Sequence, residues 1–226
     1  IITAAGLPAR PSEIEYVACA LPDWEGAFNT SLRFKNFSFS MQWDGKVGGK
    51  TYSQSHHKMC EQGHLSETLN GRKPGTSLYL DITDPDVLKL FEQQKITPVA
   101  GVYCIAPGVV DNGDGTYSPN RKLVTLESYY KEYYRIGNVE TNTFSTTYLK
   151  LREVRLDYQL PKKWLKNTFI SNASVGVYGR NLLCITSYPM FDPETTSLDG
   201  NTFVPGVEVG TLPTSRSWGV NLKVDF

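Results

Sequence analysis

Two histidines and a cysteine at helical spacing are the residues of this sequence best suited to metal binding. His57, Cys60 and His64 lie three and four residues apart, with His56 and Glu61 close by. On a helix they would share one face, and imidazole with thiolate is a ligand set that zinc accepts. Structural zinc usually takes four ligands, and no clear fourth follows. We therefore expect ordinary polar side chains here and predict neither a metal nor another cofactor.

A glycine-rich stretch imitates a phosphate-binding loop. Residues 45 to 51 read G-K-V-G-G-K-T after a predicted strand, but Asp44 stands where the loop pattern requires its first glycine. A flexible glycine connection is the better interpretation. The S-x-x-K matches at Ser55 and Ser128 are four-letter coincidences. No nucleophile elbow, paired-carboxylate pattern or His–Cys signature occurs, so the sequence predicts no enzyme.

Charge and hydropathy exclude two further classes of protein. The 226 residues carry 23 Lys plus Arg and 23 Asp plus Glu, whereas nucleic-acid binders owe their affinity mainly to an excess of basic groups that neutralise phosphates. No apolar run approaches the ~18 residues that a membrane helix needs. The first residues, Ile1 to Gly6, include neither an initiator methionine nor a signal sequence, so we expect a mature or internal start.

The final stretch of the sequence alternates strictly between apolar and polar residues, which predicts a strand. One face would carry five residues: Trp218, Val220, Leu222, Val224 and Phe226. The pattern fits the last strand of a transmembrane barrel or of a soluble sandwich. In a barrel this strand must pair on both edges, because unpaired backbone amides in lipid cost several kcal/mol each. We predict that it is the closing strand, with these five residues toward lipid.

Four earlier segments show the same alternation. Two of them, 28–34 and 37–43, form a predicted hairpin with its turn at Lys35 and Asn36. The others cover 148–160, with a slip of phase after Arg152 that indicates a bulge, and 173–183. The connections are alternately short and long, as in transmembrane barrels, which have short periplasmic turns and long outer loops. Since about eight strands are the fewest that close, we predict an all-β fold: about five strands of a large antiparallel transmembrane β-barrel.

The long connections, 46–145 and 186–214, are predicted to be extracellular. The first should contain helices over 84–92 and 125–134 and a tight turn at 111–115. Cys60 and Cys104 both lie in it, and a disulfide between them would contribute roughly 3–4 kcal/mol in the chain-entropy model. Free thiols are the alternative.

Seven short stretches together resemble the C-terminal end of the SusC/RagA-type TonB-dependent transporters, in order and in spacing. They are L-P-D-W-E-G (21–26), F-K-N-F (34–37), W-D-G with a following G-G (43–49), Y-L-K-L-R-E-V (148–154), L-P-K-K-W-L (160–165), G-R-N-L (179–182) and F-D-P-E (191–194). Each is weak alone, and the set is specific. It leaves residues 50 to 143 thinly matched.

The resemblance implies the C-terminal part, residues 1–226, of a plugged barrel of about 22 strands in the outer membrane of a Gram-negative bacterium. It implies import of oligosaccharides or oligopeptides, energy from TonB through a plug outside this chain, and a SusD-like surface lipoprotein as lid. Outer-membrane lipid and the barrel-assembly machinery, which reads a terminal aromatic, are further expected partners. Tyr52, Tyr188 and Phe191 follow strand ends and are candidate contacts to cargo or lid. A siderophore or cobalamin receptor, and a structural barrel without transport, stay open as alternatives.

Overall fold

The computed structural model describes residues 1–10, 13–194, 197–199 and 202–226. The chain forms two compact units: residues 1–17 with 52–143, here called the loop unit, and residues 18–51 with 144–226, here called the sheet unit. Within the described ranges, no helix is both long enough and apolar enough to cross a membrane.

Five long strands form the main sheet of the sheet unit and confirm the predicted all-β fold. They are β1 (Pro22–Phe34), β2 (Phe37–Gly48), β3 (Tyr148–Gln159), β4 (Asn172–Thr186) and β5 (Ser217–Asp225). Each pairs antiparallel with the next, so the sheet is an open meander with β1 and β5 at its edges. The predicted turn at Lys35 and Asn36 joins β1 to β2, and Lys35 takes the left-handed backbone conformation, with φ 52°.

The register places apolar residues of all five strands on one face. One cross-strand row runs Leu32, Phe39, Leu156, Val177 and Val220. Leu32 is 64% exposed and Val220 is 73% exposed, so the described residues of the sheet unit leave this face uncovered. Side chains at alternate positions share a face, so the alternation seen in each strand adds up to one continuous apolar surface.

The opposite face carries mainly polar side chains. The neighbouring row runs Ser31, Ser40, Arg155, Tyr178 and Gly219. The Tyr178 ring lies over Gly219, where a Cβ atom would fall 2.4 Å from the ring. An aromatic ring that covers a cross-strand glycine restores packing that glycine lacks.

The predicted bulge lies in the middle of β3. Pairing with β2 shifts between Gln42 and Trp43, and pairing with β4 shifts between Arg180 and Leu183. Asn181, inside the second shift, has a φ of 51°. The alternation of apolar and polar residues in β3 slips by one position at the bulge. The extra residue of the bulge absorbs this slip, so apolar side chains stay on one face of the sheet and polar side chains on the other.

Both short connections lie at one end of the sheet. The backbone N–H of Gln159 donates to Asn36 O at 2.8 Å, and that of Ser171 donates to Asp225 O at 2.8 Å. The connection between β3 and β4 contains a short helix, Lys162–Leu165. The long connections therefore start from the opposite end, as the alternation of lengths predicted.

The glycine-rich stretch is a strand rather than the expected flexible connection. β2 continues through residues 45 to 48, and Gly48 and Gly49 then turn the chain with φ values of 82° and 73°. Further short strands follow in the chain, and the pair Ser197–Asp199 and Thr202–Val204 is antiparallel. A three-stranded sheet is formed by Lys50–Ser53, Thr143–Ser145 and Val207–Glu208.

Three α-helices organise the loop unit: α1 (Gln54–Glu61), α2 (Pro85–Gln93) and α3 (Leu126–Tyr133). The latter two confirm the predicted helices, and their N-caps are the side chains of Asp84 and Thr125. Two short antiparallel pairs and two 3₁₀ turns complete the unit. They are Tyr103–Ile105 with Leu123–Thr125, Val109–Asp111 with Tyr117–Pro119 around the predicted tight turn, Ser66–Leu69 and Glu140–Asn142.

The loop unit has its own core, and the disulfide expected inside it is wrong. Cys60 and Cys104 are fully buried free thiols among tyrosines and aliphatic side chains. Burial raises the pKa of both thiols to about 12. A thiol that stays protonated and inaccessible is inert toward oxidation, since the thiolate is the reactive form.

Candidate functional site

Six polar side chains converge on the polar face at the end of the sheet where the long connections begin. Tyr148, Lys150 and Arg152 alternate along β3 and therefore share this face. Asp44 on β2 is the cross-strand partner of Lys150. The other members, from the loop after β4, are Asp192 and Glu194. We refer to these six residues as the charged cluster.

Lys150 is the most buried cation of the charged cluster. Its Nζ atom lies 2.6 Å from Asp192 Oδ1 and also contacts Glu194. The side chains of Lys150 and Asp192 are only 5% and 2% exposed. Thr214 donates from Oγ1 to Asp192 Oδ2 at 2.6 Å. A buried charge requires such partners because its desolvation is costly, so the F-D-P-E stretch is held where it can supply them.

Arg152 and Tyr148 connect this pair to the strand wall. Arg152 Nη2 lies 2.7 Å from Asp44 Oδ2 and also contacts Glu194. The Tyr148 hydroxyl donates to Glu194 Oε1 at 2.7 Å and is 3.0 Å from Asp44 Oδ2. Asp44 and Glu194 thus share one cation and one phenol, which favours one arrangement of the loop against the strands.

Glu194 is held ionised within the charged cluster. Burial alone would raise the pKa of this carboxyl, but hydrogen bonds from Arg152, Lys150 and Tyr148 outweigh burial and lower its pKa to about 2. A carboxyl with so low a pKa is a poor proton donor or acceptor near neutral pH. The geometry therefore suits positioning of the loop rather than acid–base chemistry.

The residues assigned to the closing strand lie together on the apolar face of β5. Trp218 is 74% exposed and Leu222 is 69% exposed; Val220 and Val224 lie between and after them in the same phase. Phe226 follows the strand, and its ring stacks on Phe169 with centroids 5.6 Å apart.

The three candidate contact residues have different surroundings. Tyr52, in the loop unit, is half-buried and its hydroxyl lies 3.0 Å from His57 Nδ1. Tyr188, in the sheet unit, is 5% exposed and lies edge-on to Phe144. Phe191 is 53% exposed and directly precedes Asp192 of the charged cluster, so it offers the most ring surface to a ligand.

The candidate metal ligands are not gathered. His57 and Cys60 lie on α1, whereas His64 is exposed beyond the end of that helix. Across the residues that the structure describes, no group of three or more His, Cys, Asp or Glu side chains could hold a metal ion. Burial lowers the pKa of His57, as expected for an imidazole packed into a protein interior.

A tyrosine-lined groove in the loop unit was not predicted. It has a volume of about 530 Å³, and its walls include Tyr129, Tyr133, Leu69 and Lys73. Tyr129 and Tyr133 stack with centroids 5.5 Å apart. The four-residue spacing of these tyrosines on a helix was the available signal, but the facing wall comes from a segment about sixty residues away in sequence.

A meander of long strands, apolar on one face and polar on the other, has the construction of a transmembrane β-barrel wall. Comparison with known proteins agrees with this class. The chain is 23% identical over 215 residues to TonB-dependent receptor P3 of Formosa agariphila and 23% identical over 210 residues to TonB-dependent receptor P26 of the same organism. These matches cover 91% of this chain but only 16% and 17% of the relatives. No family model matches the chain.

Solved structures of the RagAB peptide transporter share the fold. The structure of the RagAB peptide importer in its closed-closed state superposes with a TM-score of 0.56 at 17% identity, covering 92% of this chain and 18% of that one. A second structure of the RagAB peptide transporter gives a TM-score of 0.51 and covers 17% of that chain. The resemblance to SusC/RagA-type TonB-dependent transporters that the seven motifs predicted is thereby confirmed, and the chain spans about a sixth of such relatives.

Proposed function

We propose that this chain is the C-terminal part of the barrel of a TonB-dependent importer of the SusC/RagA type in a Gram-negative outer membrane. The observation that carries the proposal is the two-faced five-strand meander, supported by similarity to TonB-dependent receptors along 91% of the chain. The further strands and the plug belong to parts of the protein outside this chain.

In this proposal the apolar face contacts lipid. Trp24 and Phe34 lie ten residues apart on that face of β1. At about 3.3 Å per residue and a tilt of about 40°, they are separated by about 25 Å along the membrane normal, the height of the apolar band of outer-membrane barrels. Aromatic residues at both edges of that band match the two interfacial girdles of such proteins.

The proposed orientation follows from the connections. The short turns of barrels lie in the periplasm and the long loops lie outside, so the loop unit and residues 186–214 are extracellular. The charged cluster then lies at the outer mouth of the lumen. There it holds the F-D-P-E stretch on the inner wall and presents Phe191 to the route that cargo would take.

The proposed cargo is an oligopeptide or oligosaccharide, delivered through a SusD-like surface lipoprotein and moved with energy from TonB. Exposed aromatic rings such as those of Phe191 and Tyr133 bind apolar side chains and sugar faces alike, so they support oligomeric nutrients as a class. The relatives' names are those of receptors and importers, which supports transport rather than catalysis.

The test is uptake by cells that express the full-length protein with its lipoprotein. Labelled oligopeptide and oligosaccharide mixtures are supplied to cells with and without TonB. We expect accumulation of one mixture that requires both the protein and TonB. Equal accumulation without TonB would contradict the proposal, and TonB-dependent uptake of iron chelates alone would favour the siderophore receptor.

A single substitution tests whether Phe191 lies on the route that cargo takes. Phe191→Ala should lower uptake while leaving the amount of inserted protein unchanged. The matched control is Phe203→Ala, which removes another exposed ring of the same loop. Equal uptake by both variants and the wild type would remove the role of Phe191.

A further inference from the structure

Residues 1–10 belong to the loop unit, although they precede β1 in the chain. The backbone N–H of Ile2 donates to Val109 O at 2.8 Å, and Ile2 forms a parallel bridge to Val110. The chain then turns back, so that Ile2 also pairs antiparallel with Pro8. Addition of an extended segment to the edge of a strand pair attaches it through backbone hydrogen bonds. We refer to residues 1–10 as the strap.

The Ile2 side chain anchors the strap in the core of the loop unit. Ile2 is 4% exposed and belongs to the same cluster of buried residues as Val124 and Tyr129. A Cβ atom at Gly108 would fall 2.9 Å from Ile2 Cγ1, so the glycine leaves room for this side chain. Removing an isoleucine side chain from water favours the docked strap in proportion to the apolar area buried. The strap therefore contributes to the core that it covers.

Two further contacts hold the strap at its turn and at its end. Gly6 lies in the turn with a φ of 83°, and a Cβ atom there would fall 2.8 Å from Lys122 Cβ. Glycine therefore permits both this backbone conformation and the close approach. Arg10 contacts Glu132 of α3 at two points, with Nη2 2.8 Å from Oε1 and Nε 3.2 Å from Oε2. Such a bidentate contact fixes the orientation of both groups.

The strap ties together two connections that are separate in the sequence. The chain passes between the loop unit and the sheet unit at three places, after residues 17, 51 and 143. The last two are crossings of the long connection from β2 to β3, whereas the first belongs to the connection that enters β1. Residues 13–17, between the strap and β1, are exposed. The link between the two connections therefore depends on the contacts of the strap itself.

We propose that the strap is an interlock between these two connections. While Ile2 is docked, the strap and the core of the loop unit open as one cooperative unit, and a movement of the loop unit is transmitted to the segment that enters β1. When Ile2 leaves the core, the two connections become independent. The placement of both connections outside the membrane rests on the proposed function, whereas the interlock itself rests on the contacts within the loop unit.

Hydrogen exchange of the full-length protein in detergent, followed by mass spectrometry of its peptides, tests the proposal. In the wild type we expect the strap and residues 103–111 to be protected alike, because segments of one cooperative unit open together. Ile2→Ser should accelerate exchange in both segments by about tenfold or more, since it removes buried packing, and should leave β2 and β3 unchanged. The matched control is Ile14→Ser, which replaces a fully exposed isoleucine of the same connection and should exchange like the wild type.

A charge exchange provides a second test that leaves the core intact, should Ile2→Ser fail to fold. Arg10→Glu places two carboxylates against each other and should accelerate exchange of the strap by about twofold to fivefold. Adding Glu132→Arg should restore part of the protection.

Three outcomes would overturn the proposal. Complete exchange of residues 1–10 at the earliest time point in the wild type would mean that the strap is not docked. Acceleration confined to the strap in Ile2→Ser would mean a passive attachment without an interlock. A charge exchange that restores no protection would contradict the docked geometry. None of these readouts involves uptake, so failure here and failure of the transport proposal are distinguishable.

Discussion

Lys150 and Asp192 lie 42 residues apart in the sequence, yet Nζ of the first and Oδ1 of the second are 2.6 Å apart in a buried ion pair. The pair joins the central strand β3 of the sheet to the loop that follows β4. Buried pairs contribute less to net stability than to the choice of one arrangement. We interpret the pair as the contact that holds the F-D-P-E stretch (191–194) against β3.

Removing one charge of this pair should lower the free energy of unfolding more than removing both charges. Lys150→Met leaves a buried carboxylate without its cation, and we expect the loss to be about 3–5 kcal/mol. Adding Asp192→Asn to that variant should restore part of the stability. The measurement is urea unfolding of the refolded full-length barrel, with proteolysis of the 186–214 loop as a local readout.

The control for this pair is Lys223→Met, which removes an exposed cation of β5 and should have a small effect. Strictly additive losses in the double variant would show that Lys150 and Asp192 are not coupled.

The stabilisation that Glu194 contributes should disappear in acid. The pKa of Glu194 is lowered to about 2 in the folded protein, below its ordinary value of 4.5. The contribution is therefore fully present above about pH 4.5 and is lost as the pH falls through about 2. Thermal unfolding followed from pH 6 to pH 2 should show the wild type and Glu194→Gln converging over this window. A constant difference between them would mean that Glu194 is not the titrating group.

Gly26 and Gly45 face each other on the apolar side of β1 and β2. Alanine at these two positions should have different effects on the free energy of unfolding. At Gly26 a methyl group would meet the Trp24 ring at 2.4 Å, so Gly26→Ala should destabilise by about 1–3 kcal/mol. At Gly45 the nearest atom is the Tyr148 carbonyl oxygen at 3.4 Å. Gly45→Ala should therefore be neutral or stabilising by up to about 1 kcal/mol. Urea unfolding of both variants tests this, and equal losses would mean that Trp24 does not occupy the Gly26 position.

The cysteines of the loop unit should react only after unfolding. Cys60 and Cys104 are fully buried, and burial raises the pKa of both to about 12. Alkylation of the native full-length protein at pH 8 should spare both residues, whereas denaturation without a reductant should expose both as free thiols. Peptide mapping distinguishes the two states. A Cys60–Cys104 linked peptide from non-reduced protein would restore the disulfide hypothesis.

The sheet could be predicted from the sequence because the residue pattern that specifies each strand lies within that strand. Alternation in 37–43 and in 218–226 specifies each strand and its faces without reference to other strands. The slip of phase after Arg152 was equally local and located the bulge. The helix caps Asp84 and Thr125 were readable for the same reason, since a cap acts on the next three residues.

The site could not be predicted, because its contacts join distant segments. Nothing near Lys150 in the sequence indicates Asp192, and nothing near Tyr133 indicates the facing wall of its groove. The disulfide failed for the same reason, since an even count of cysteines carries no information on which sulfur atoms approach one another. The stretches F-D-P-E and Y-L-K-L-R-E-V were both among the seven motifs, but the sequence did not show that their side chains contact each other.

We propose that the five strands cross a membrane with their apolar face toward lipid, and two adjacent positions in β5 test this most directly. Leu222 lies on the apolar face near mid-strand, and Asn221 lies on the polar face. The measurement is the unfolding free energy and surface level of the full-length barrel carrying Leu222→Lys or Asn221→Lys. We expect a loss of about 2–4 kcal/mol for Leu222→Lys, the cost of a lysine facing lipid at the bilayer midplane, and a small effect for Asn221→Lys. Equal losses at the two positions, or a larger loss at Asn221, would contradict the account.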